Sequence, residues 1–354
     1  MQDIKELTLA ELERALGSWG QPRFHARQIF SWVYKKGVKD FAEMSDLPAD
    51  LRKRLKENFY LFSLRLIKLL QSSDGTEKFL FALKDGNLIE AVSIPTEKRI
   101  TGCISTQVGC KFKCSFCASG LLGFKRNLTV PEMIEQAMQR KPPHQFQHSA
   151  CVKENWCGGK PTHLVFMGMG EPLDNYENVI KAIRIINSTH ALRIAARRIT
   201  ISTCGIIPGI KRLWDEGLQI ELSVSLHAAD DKTRSQIMPM NKKYPITGLI
   251  KTCAKYIRKT NRQITFEYIL IKDINSDLQS AKNLTTILKG LNCKVNIIPS
   301  NPIKELKVEP PNKLDILLFR DYLLKKGINV TLRRPRGGDI EASCGQLRLR
   351  YEKK

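Results

Sequence analysis

The sequence predicts an α/β protein, with an open, partial (β/α)6 barrel that follows a small N-terminal helical domain. After residue 99, short β-rich runs alternate with segments of helical period, an order typical of parallel strands joined by right-handed crossovers. This order fits a barrel or a doubly wound sheet, and six main runs are too few to close an eight-stranded barrel. The predicted strands are ITGCIST, HLVFMG, RITIST, IELSVSL, ITFEYIL and KVNIIP, with NVTLRR near the end. The predicted helices between them are 131–140, 176–189, 246–259 and 277–291.

Residues 1–70 are predicted to form a small helical accessory domain. Three stretches with helical character, ELTLAELERAL, RFHARQIFSWVYKKG and LPADLRKRLKENF, are separated by Pro22, Gly37 and Pro48. Proline and glycine end helices at such positions, and Lys/Arg pairs stand near the predicted helix ends.

The rest of the chain divides into three segments. Residues 71–98 alternate apolar and polar side chains around two Asp-Gly pairs, which predicts a linker region of β-hairpins. Residues 99–340 form the predicted barrel, and residues 341–354 form a C-terminal loop and tail.

Charge and composition restrict the partners. The formal net charge is +23 and the isoelectric point is near 9.7, which favours a polyanionic partner, nucleic acid before an anionic membrane surface. No apolar run approaches the roughly 20 residues that cross a bilayer, and the N-terminus lacks a signal peptide. We therefore expect a cytoplasmic protein without a membrane partner. Its 10 cysteines are scattered, unlike those of a secreted disulfide scaffold, so most should be reduced thiols.

The unusual polar and sulfur-containing residues follow the predicted strands. A three-cysteine run follows the first strand and GMGEP follows the second. Ser202 ends the third strand, SLHA ends the fourth, and Asn301 follows the sixth. Because the carboxyl ends of parallel strands meet at one edge, these residues should gather at a single rim.

The three-cysteine run is GCKFKCSFCASG, with Cys110, Cys114 and Cys117 in a C-x3-C-x2-C spacing. Structural zinc requires four ligands, and a disulfide would leave one thiol over. A [4Fe-4S] cluster held by three thiolates keeps one iron open for a substrate or cofactor. The spacing therefore favours a cluster with an open iron.

Several motifs carry a resemblance to a known family. They are IPTEKRITGCISTQVGCKFKCSFCASG, GMGEPLDN, ISTCGIIPGI, SVSLHA and DIEASCGQL, in this order along the chain. The cysteine run, with Phe116 before its last cysteine, resembles the radical S-adenosylmethionine (radical SAM) superfamily. The full set resembles its adenine-C2 methyltransferases of 23S ribosomal RNA and transfer RNA. With the helical N-terminal domain, the resemblance covers nearly the whole chain, and EASCGQL is its most specific motif. The resemblance implies that this N-terminal domain, residues 1–70, binds RNA.

The resemblance implies a residue for each role. Cys110, Cys114 and Cys117 would hold the [4Fe-4S] cluster. Cys344 would carry a methyl group, Cys103 would resolve the RNA adduct through a disulfide with Cys344, and Glu90 would be the base. The implied S-adenosylmethionine contacts are Gly170, Glu171, Ser202, Ser225, Leu226, His227 and Asn301.

The implied reaction has a chemical reason. Carbon 2 of adenine lies between two ring nitrogens and is too electron-poor to attack the methyl group of the cofactor, whereas a carbon radical can add there. A thiolate is a suitable acceptor for the methyl group of a sulfonium, which suits the role of Cys344. The implied partners are 23S rRNA, tRNA and an electron donor such as flavodoxin or ferredoxin, and the implied state is a monomer.

Two alternatives remain open at this stage. The first is methylation at carbon 8 by the same machinery, although GEP at 170–172 favours carbon 2. The second is a non-catalytic, zinc-containing RNA-binding protein. The segment 141–161 is longer than expected for the family and contains His144, His148, Cys151 and Cys157, whose spacing matches no known zinc motif, so a surface insertion is preferred.

Overall fold

The N-terminal unit is a small helical domain. The computed structural model describes residues 1–121, 123–138, 160–300, 306, 308–333, 336–340 and 346–352. The elements of this unit are β1 (Gln2–Asp3), α1 (Leu9–Gly17), α2 (Arg23–Phe30), a π-helical turn (Ser31–Lys36), α3 (Ala49–Asn58) and β2 (Phe59–Tyr60). Thr8 and Glu11 form a capping box at the start of α1, and Gly37 ends the π-helical turn with φ +71°. Strands β1 and β2 pair in parallel and join the two ends of the unit.

Three antiparallel strands follow, and they belong to the main sheet. They are β3 (Arg65–Gln71), β4 (Glu77–Ala82) and β5 (Leu88–Thr96). Gly75 and Gly86 of the two Asp-Gly pairs have φ of +82° and +80°, which supplies the left-handed backbone that tight hairpin turns need. The first strand begins at Arg65, within the segment predicted as helical. The last pairs antiparallel with the first barrel strand, so this region extends the barrel sheet.

The barrel consists of alternating strands and helices. The strands are β6 (Arg99–Cys103), β7 (Gln107–Gly109), β8 (Phe124–Asn127), β9 (His163–Phe166), β10 (Ile199–Thr203), β11 (Glu221–Ser225), β12 (Ile264–Leu270), β13 (Cys293–Pro299) and β14 (Asn329–Leu332). The helices are α4 (Val130–Met138), α5 (Tyr176–Asn187), α6 (Ile207–Trp214), α7 (Asp231–Ile237), α8 (Ile246–Thr260), α9 (Leu278–Leu288), α10 (Lys313–Lys325) and α11 (Gln346–Glu352). Strands β7 and β8 form a separate hairpin.

The main sheet runs in the order β14-β13-β12-β11-β10-β9-β6-β5-β4-β3. Every neighbouring pair from β14 to β6 is parallel, and the pairs from β6 to β3 are antiparallel. Within the described residues, β14 and β3 are the two edges, so the sheet is open. This topology confirms the predicted partial barrel with its N-terminal helical domain. The described helices also include none long and apolar enough to cross a membrane.

The core forms between the sheet and its covering helices. Helix α5 shows the pattern, because Val179, Ile183 and Ile186 lie on the same face of the helix and are 0% exposed. Ile201 and Val224 of the central strands are also fully buried. Burying a side chain of this size stabilises the fold by roughly 1.5–3 kcal/mol, so this packing holds the rim of the sheet in place.

A buried ion pair joins the N-terminal unit to the barrel. Lys5 Nζ lies 2.6 Å from Glu135 Oε1 on α4, and the two side chains are 4% and 9% exposed. Lys5 also donates to the carbonyl oxygen of Phe62. Asp3 accepts from the backbone N–H of Phe62 at 2.7 Å, and burial raises its pKa. These contacts fix the first residues of the chain against both α4 and the segment between β2 and β3 that contains Phe62.

We expect Lys5→Met to destabilise the protein by about 3–5 kcal/mol, because it removes the buried ammonium that contacts the Glu135 carboxylate. Lys5→Met/Glu135→Gln should recover much of the loss, since glutamine is neutral and can still accept from Leu64. Urea unfolding measures both. The control is Lys181→Met in the half-buried Lys181–Glu11 pair, which joins the same two units and should cost about 1 kcal/mol or less. Equal losses at the two pairs would contradict the role of burial.

Candidate functional site

A cavity of about 350 Å³ opens at the carboxyl ends of the parallel strands. It collects residues that lie far apart in the sequence, from Cys103 on β6 to Glu267 on β12. The predicted site residues that line it are Cys103, Cys110, Cys114, Cys117, Gly170, Glu171, Ser202, Ser225 and His227. The expectation of a single functional rim therefore agrees with the structure.

Close backbone contacts hold the cysteine loop. Gly109 has φ +78°, and a Cβ there would lie 1.7 Å from the carbonyl oxygen of Gly123, so the β7–β8 hairpin requires glycine. The N–H of Cys117 donates to the carbonyl of Cys114 at 3.1 Å. Ser115, between the cysteines, donates its backbone N–H to Ile237 O at 2.9 Å. The loop is thus attached both to its own hairpin and to the end of α7.

The environment of the cysteines fits a cationic cluster. Burial raises the pKa of Cys110 to about 12 and raises that of Cys114 well above its usual range. A buried thiol therefore resists ionisation unless a metal compensates the thiolate. Among the described residues, no three Cys, His, Asp or Glu side chains form a group for one metal ion. The three cysteines instead line the same cavity, an arrangement that would let each thiolate hold a different iron of a [4Fe-4S] cluster.

Gly170 and Glu171 form a tightly packed turn after β9. Gly170 has φ +96°, and a Cβ there would lie 2.5 Å from the Gln107 side chain. Glu171 is 4% exposed; its carboxylate accepts from the N–H groups of Cys204 at 2.7 Å and Leu173 at 3.0 Å. Burial raises the pKa of Glu171, against the opposing effect of these bonds. The turn therefore presents a fixed carboxylate at the cavity, which suits the S-adenosylmethionine contact that the resemblance implies for Glu171.

His227 is held in one tautomer. Its Nδ1 accepts the backbone N–H of Ile269 at 3.0 Å, so Nε2 carries the hydrogen. The residue has φ +59° and is 4% exposed, and burial lowers its pKa to about 3. The Phe116 ring meets the imidazole edge-on with centroids 4.7 Å apart. His227 is thus a neutral, oriented donor in the cavity wall.

Cys103 and Glu90 lie on adjacent strands in different environments. Cys103 is 8% exposed and lines the cavity. Glu90 is 3% exposed and does not line it. Its Oε2 lies 3.0 Å from Lys78 Nζ, and its Oε1 accepts the backbone N–H of Arg348 at 2.6 Å. The structure therefore brings Cys103 into the site and places Glu90 in a buried ion pair beside it.

The remaining predicted residues divide into two groups. Leu226 is 0% exposed, and its side chain belongs to the hydrophobic core, so any cofactor contact must come from its backbone. The others lie outside the described residues, namely Asn301, Cys344, and His144, His148, Cys151 and Cys157 of the predicted insertion.

Two cavity residues were not assigned from the sequence. Cys204 is buried and lines the cavity, where its backbone N–H donates to Glu171. Glu267 is 6% exposed, accepts from Asn296 Nδ2 at 2.7 Å, and has a pKa raised by burial. An acidic residue inside the run ITFEYIL is the signal that could have identified Glu267.

Comparisons with known proteins define the class. Residues 104–282 match the radical SAM superfamily, and residues 2–61 match the N-terminal domain of the ribosomal RNA large subunit methyltransferase family. A radical SAM methyltransferase from Sphaerobacter thermophilus has a crystal structure that superposes with a TM-score of 0.89, at 42% identity, over 98% of this chain and 99% of that one. The chain is therefore a radical SAM protein.

Curated relatives identify the family within this superfamily. A probable dual-specificity RNA methyltransferase RlmN from Thermoanaerobacter sp. (strain X514) is 44% identical over 100% of this chain and 99% of its own length. Another from Clostridium acetobutylicum is 46% identical over 99% of this chain and 98% of its own. The chain belongs to the RlmN family of radical SAM methyltransferases. Its cofactors are a [4Fe-4S] cluster and S-adenosylmethionine.

We expect His227 to make the protein less stable as the pH falls. Between its folded pKa near 3 and an unfolded value near 6.5, only the unfolded state binds the proton. The contribution is complete above pH 6.5 and falls by about 2 kcal/mol between pH 6.5 and 5. Anaerobic urea unfolding of the wild type and His227→Gln should therefore show a smaller dependence on pH in the variant. His190→Gln, at a half-buried position outside the cavity, is the control, and equal slopes in wild type and His227→Gln would contradict this assignment.

Proposed function

We propose that this protein methylates carbon 2 of adenine in 23S ribosomal RNA and transfer RNA through a methylated cysteine. The observation that carries this proposal is the shared cavity of Cys103, the three-cysteine loop and the Gly170–Glu171 turn, in a chain that matches RNA methyltransferases along its length. GEP at 170–172 favours carbon 2 over carbon 8.

The proposed residue roles follow the chemistry. Cys110, Cys114 and Cys117 would hold the cluster, and Glu171 and His227 would contact S-adenosylmethionine. Gly170, Ser202, Ser225, the backbone of Leu226 and Asn301 complete the proposed cofactor contacts. Together the two cofactors supply the methyl group and a radical that abstracts hydrogen from it.

The two remaining cysteines, Cys344 and Cys103, have different proposed roles in the reaction. Cys344 would accept the methyl group and join carbon 2 of adenine through it. The adduct radical would then lose one electron, which the oxidised [4Fe-4S] cluster would accept, and the carbon 2 proton. After that, the Cys103 thiolate would attack the Cys344 sulfur. The carbon–sulfur bond then breaks, the methyl carbon takes a proton, and the two thiols become a disulfide that an external thiol reduces. The position of Cys103 at the cavity wall supports this role.

Glu90 is the proposed base, and its contacts define what this role requires. Lys78 and the N–H of Arg348 each engage one carboxylate oxygen. Glu90 must exchange one of these partners to take the carbon 2 proton. Arg348 follows Cys344 by four residues, so the same carboxylate is attached to the segment that carries the methyl-accepting cysteine.

The basic surface supports an RNA substrate. Arg333 and Arg336 line the cavity that holds the cysteines, where they could contact phosphates on either side of the target base. The formal charge of +23 supports the same partner. We further propose that the enzyme is a cytoplasmic monomer that receives electrons from a flavodoxin or ferredoxin.

Anaerobic incubation with ribosomal and transfer RNA, S-adenosylmethionine and a reductant should yield 2-methyladenosine, which mass spectrometry of nucleosides detects. Cys114→Ala should abolish it and lose iron, because one iron would lack its thiolate. The control is Cys253→Ala, at a buried cysteine outside the cavity, which should keep iron and activity. An 8-methyl product would favour the carbon-8 alternative. A colourless zinc protein would favour a non-catalytic one.

We expect Cys103→Ala to stall after attack on adenine, because none of the earlier steps uses the second thiol. The enzyme should accumulate joined to RNA through a Cys344 methylene bridge, as a gel species that ribonuclease trims. Cys103→Ala/Cys344→Ala should form none. Normal turnover of Cys103→Ala, or an adduct that persists without Cys344, would show that the two sulfurs have other roles.

A further inference from the structure

Arg234 on α7 is a fully buried guanidinium whose hydrogen bonds all go to uncharged acceptors among the described residues. The side chain is 0% exposed. Nε donates to Leu226 O at 3.0 Å, Nη1 donates to Asn241 Oδ1 at 2.9 Å and Tyr244 O at 3.5 Å, and Nη2 donates to Cys204 O at 2.8 Å and Ser225 O at 3.1 Å. The five N–H groups of an arginine thus have five acceptors.

Burying such a charge is unfavourable unless its geometry is well satisfied. Arginine suits this position because its planar fork can bond several carbonyls in fixed directions, which an ammonium cannot. Asn241, which accepts from Nη1, is itself held by Asp231 Oδ1 at 2.8 Å and Ser235 Oγ at 2.8 Å. Gly205 leaves room for the fork, since a Cβ there would lie 3.3 Å from Nη2 and its φ is +105°. The guanidinium therefore occupies a prepared position.

The acceptors of Arg234 belong to the cofactor rim. Ser225 and Leu226 are proposed cofactor contacts at the end of β11, and Cys204 follows the end of β10, two residues after Ser202. One side chain thus bonds the carboxyl ends of two neighbouring strands.

The same helix also contacts the cysteine loop. Ile237, the last residue of α7, accepts the Ser115 N–H at 2.9 Å. Ile237 and Met238 pack in an apolar cluster that Cys114 and Phe116 border. A single short helix therefore connects the loop proposed to hold the cluster with the strand ends proposed to hold the cofactor.

We propose that Arg234 is a positioning residue for the binding of S-adenosylmethionine. Arg234 fixes the ends of β10 and β11 relative to the cysteine loop. This inference rests on the proposed function for the identity of the ligand. It assigns Arg234 no contact with the cofactor itself. A substitution of Arg234 should therefore weaken cofactor binding and leave cluster content and RNA affinity unchanged.

The test is Arg234→Lys in the cluster-loaded protein, with equilibrium binding of S-adenosylmethionine in the absence of RNA. Lysine keeps the charge but cannot bond both strand ends, so the dissociation constant should rise by about tenfold. Iron content, circular dichroism and the dissociation constant for RNA should match the wild type. The matched control is Arg212→Lys on α6, an exposed arginine paired with Glu177, which should change none of these.

A kinetic measurement separates positioning from general damage. At saturating S-adenosylmethionine, Arg234→Lys should form 5′-deoxyadenosine at nearly the wild-type rate, with the loss confined to KM. An unchanged dissociation constant in a folded, iron-loaded Arg234→Lys would overturn the proposal, and so would a parallel loss of RNA affinity.

A second variant covers the case in which Arg234→Lys does not fold. Asn241→Ser removes the Nη1 acceptor and its link to Asp231 but leaves Arg234 in place, so cofactor affinity should fall by about threefold. Unchanged affinity in folded Asn241→Ser would then refute the proposal. A protein that binds S-adenosylmethionine in this Arg234-dependent way without methylating RNA would refute the proposed function alone.

Discussion

Parallel pairing of the barrel strands is the constraint on which the rest of the molecule depends. In the main sheet, β6 and β9 to β14 each run in the same direction as their neighbour, so the loops that follow these strands emerge at one edge. This is why Cys103 and Glu267, more than a hundred and sixty residues apart in the sequence, border one cavity. Helices on the covering face bury the apolar side of these strands and keep the edge in register.

The polar groups of the site are ordered before any ligand arrives. Glu171, His227, Glu267 and Arg234 are each at most 6% exposed and are bonded mainly to backbone or amide groups. Fixed dipoles in a dry cavity require little reorganisation when a charged ligand binds. The buried cysteines, in contrast, depend on their ligand, because burial disfavours thiolates until a metal provides positive charge.

Sequence patterns predicted the strands well because they depend on local alternation and on short apolar runs. All seven predicted β-rich runs overlap observed strands, and all four predicted helices overlap α4, α5, α8 and α9. What the patterns could not provide was long-range pairing. The antiparallel segment looked like a separate linker, although β5 pairs along β6 and continues the sheet. The Glu90–Lys78 pair depends on the register of β4 against β5, and the Arg234 bonds depend on how α7 folds back over two strand ends.

The buried contact of Lys5 with Glu135 means that the helical unit and the barrel are not independent modules. A barrel released from its first sixty residues would lose the Lys5 ammonium that contacts the Glu135 carboxylate on α4. The parallel pairing of β1 with β2 holds Gln2 and Asp3 against the end of the helical unit, so the residues next to Lys5 are fixed within that unit. During synthesis, Lys5 therefore leaves the ribosome more than a hundred residues before Glu135. The helical unit completes its attachment only after α4 has emerged.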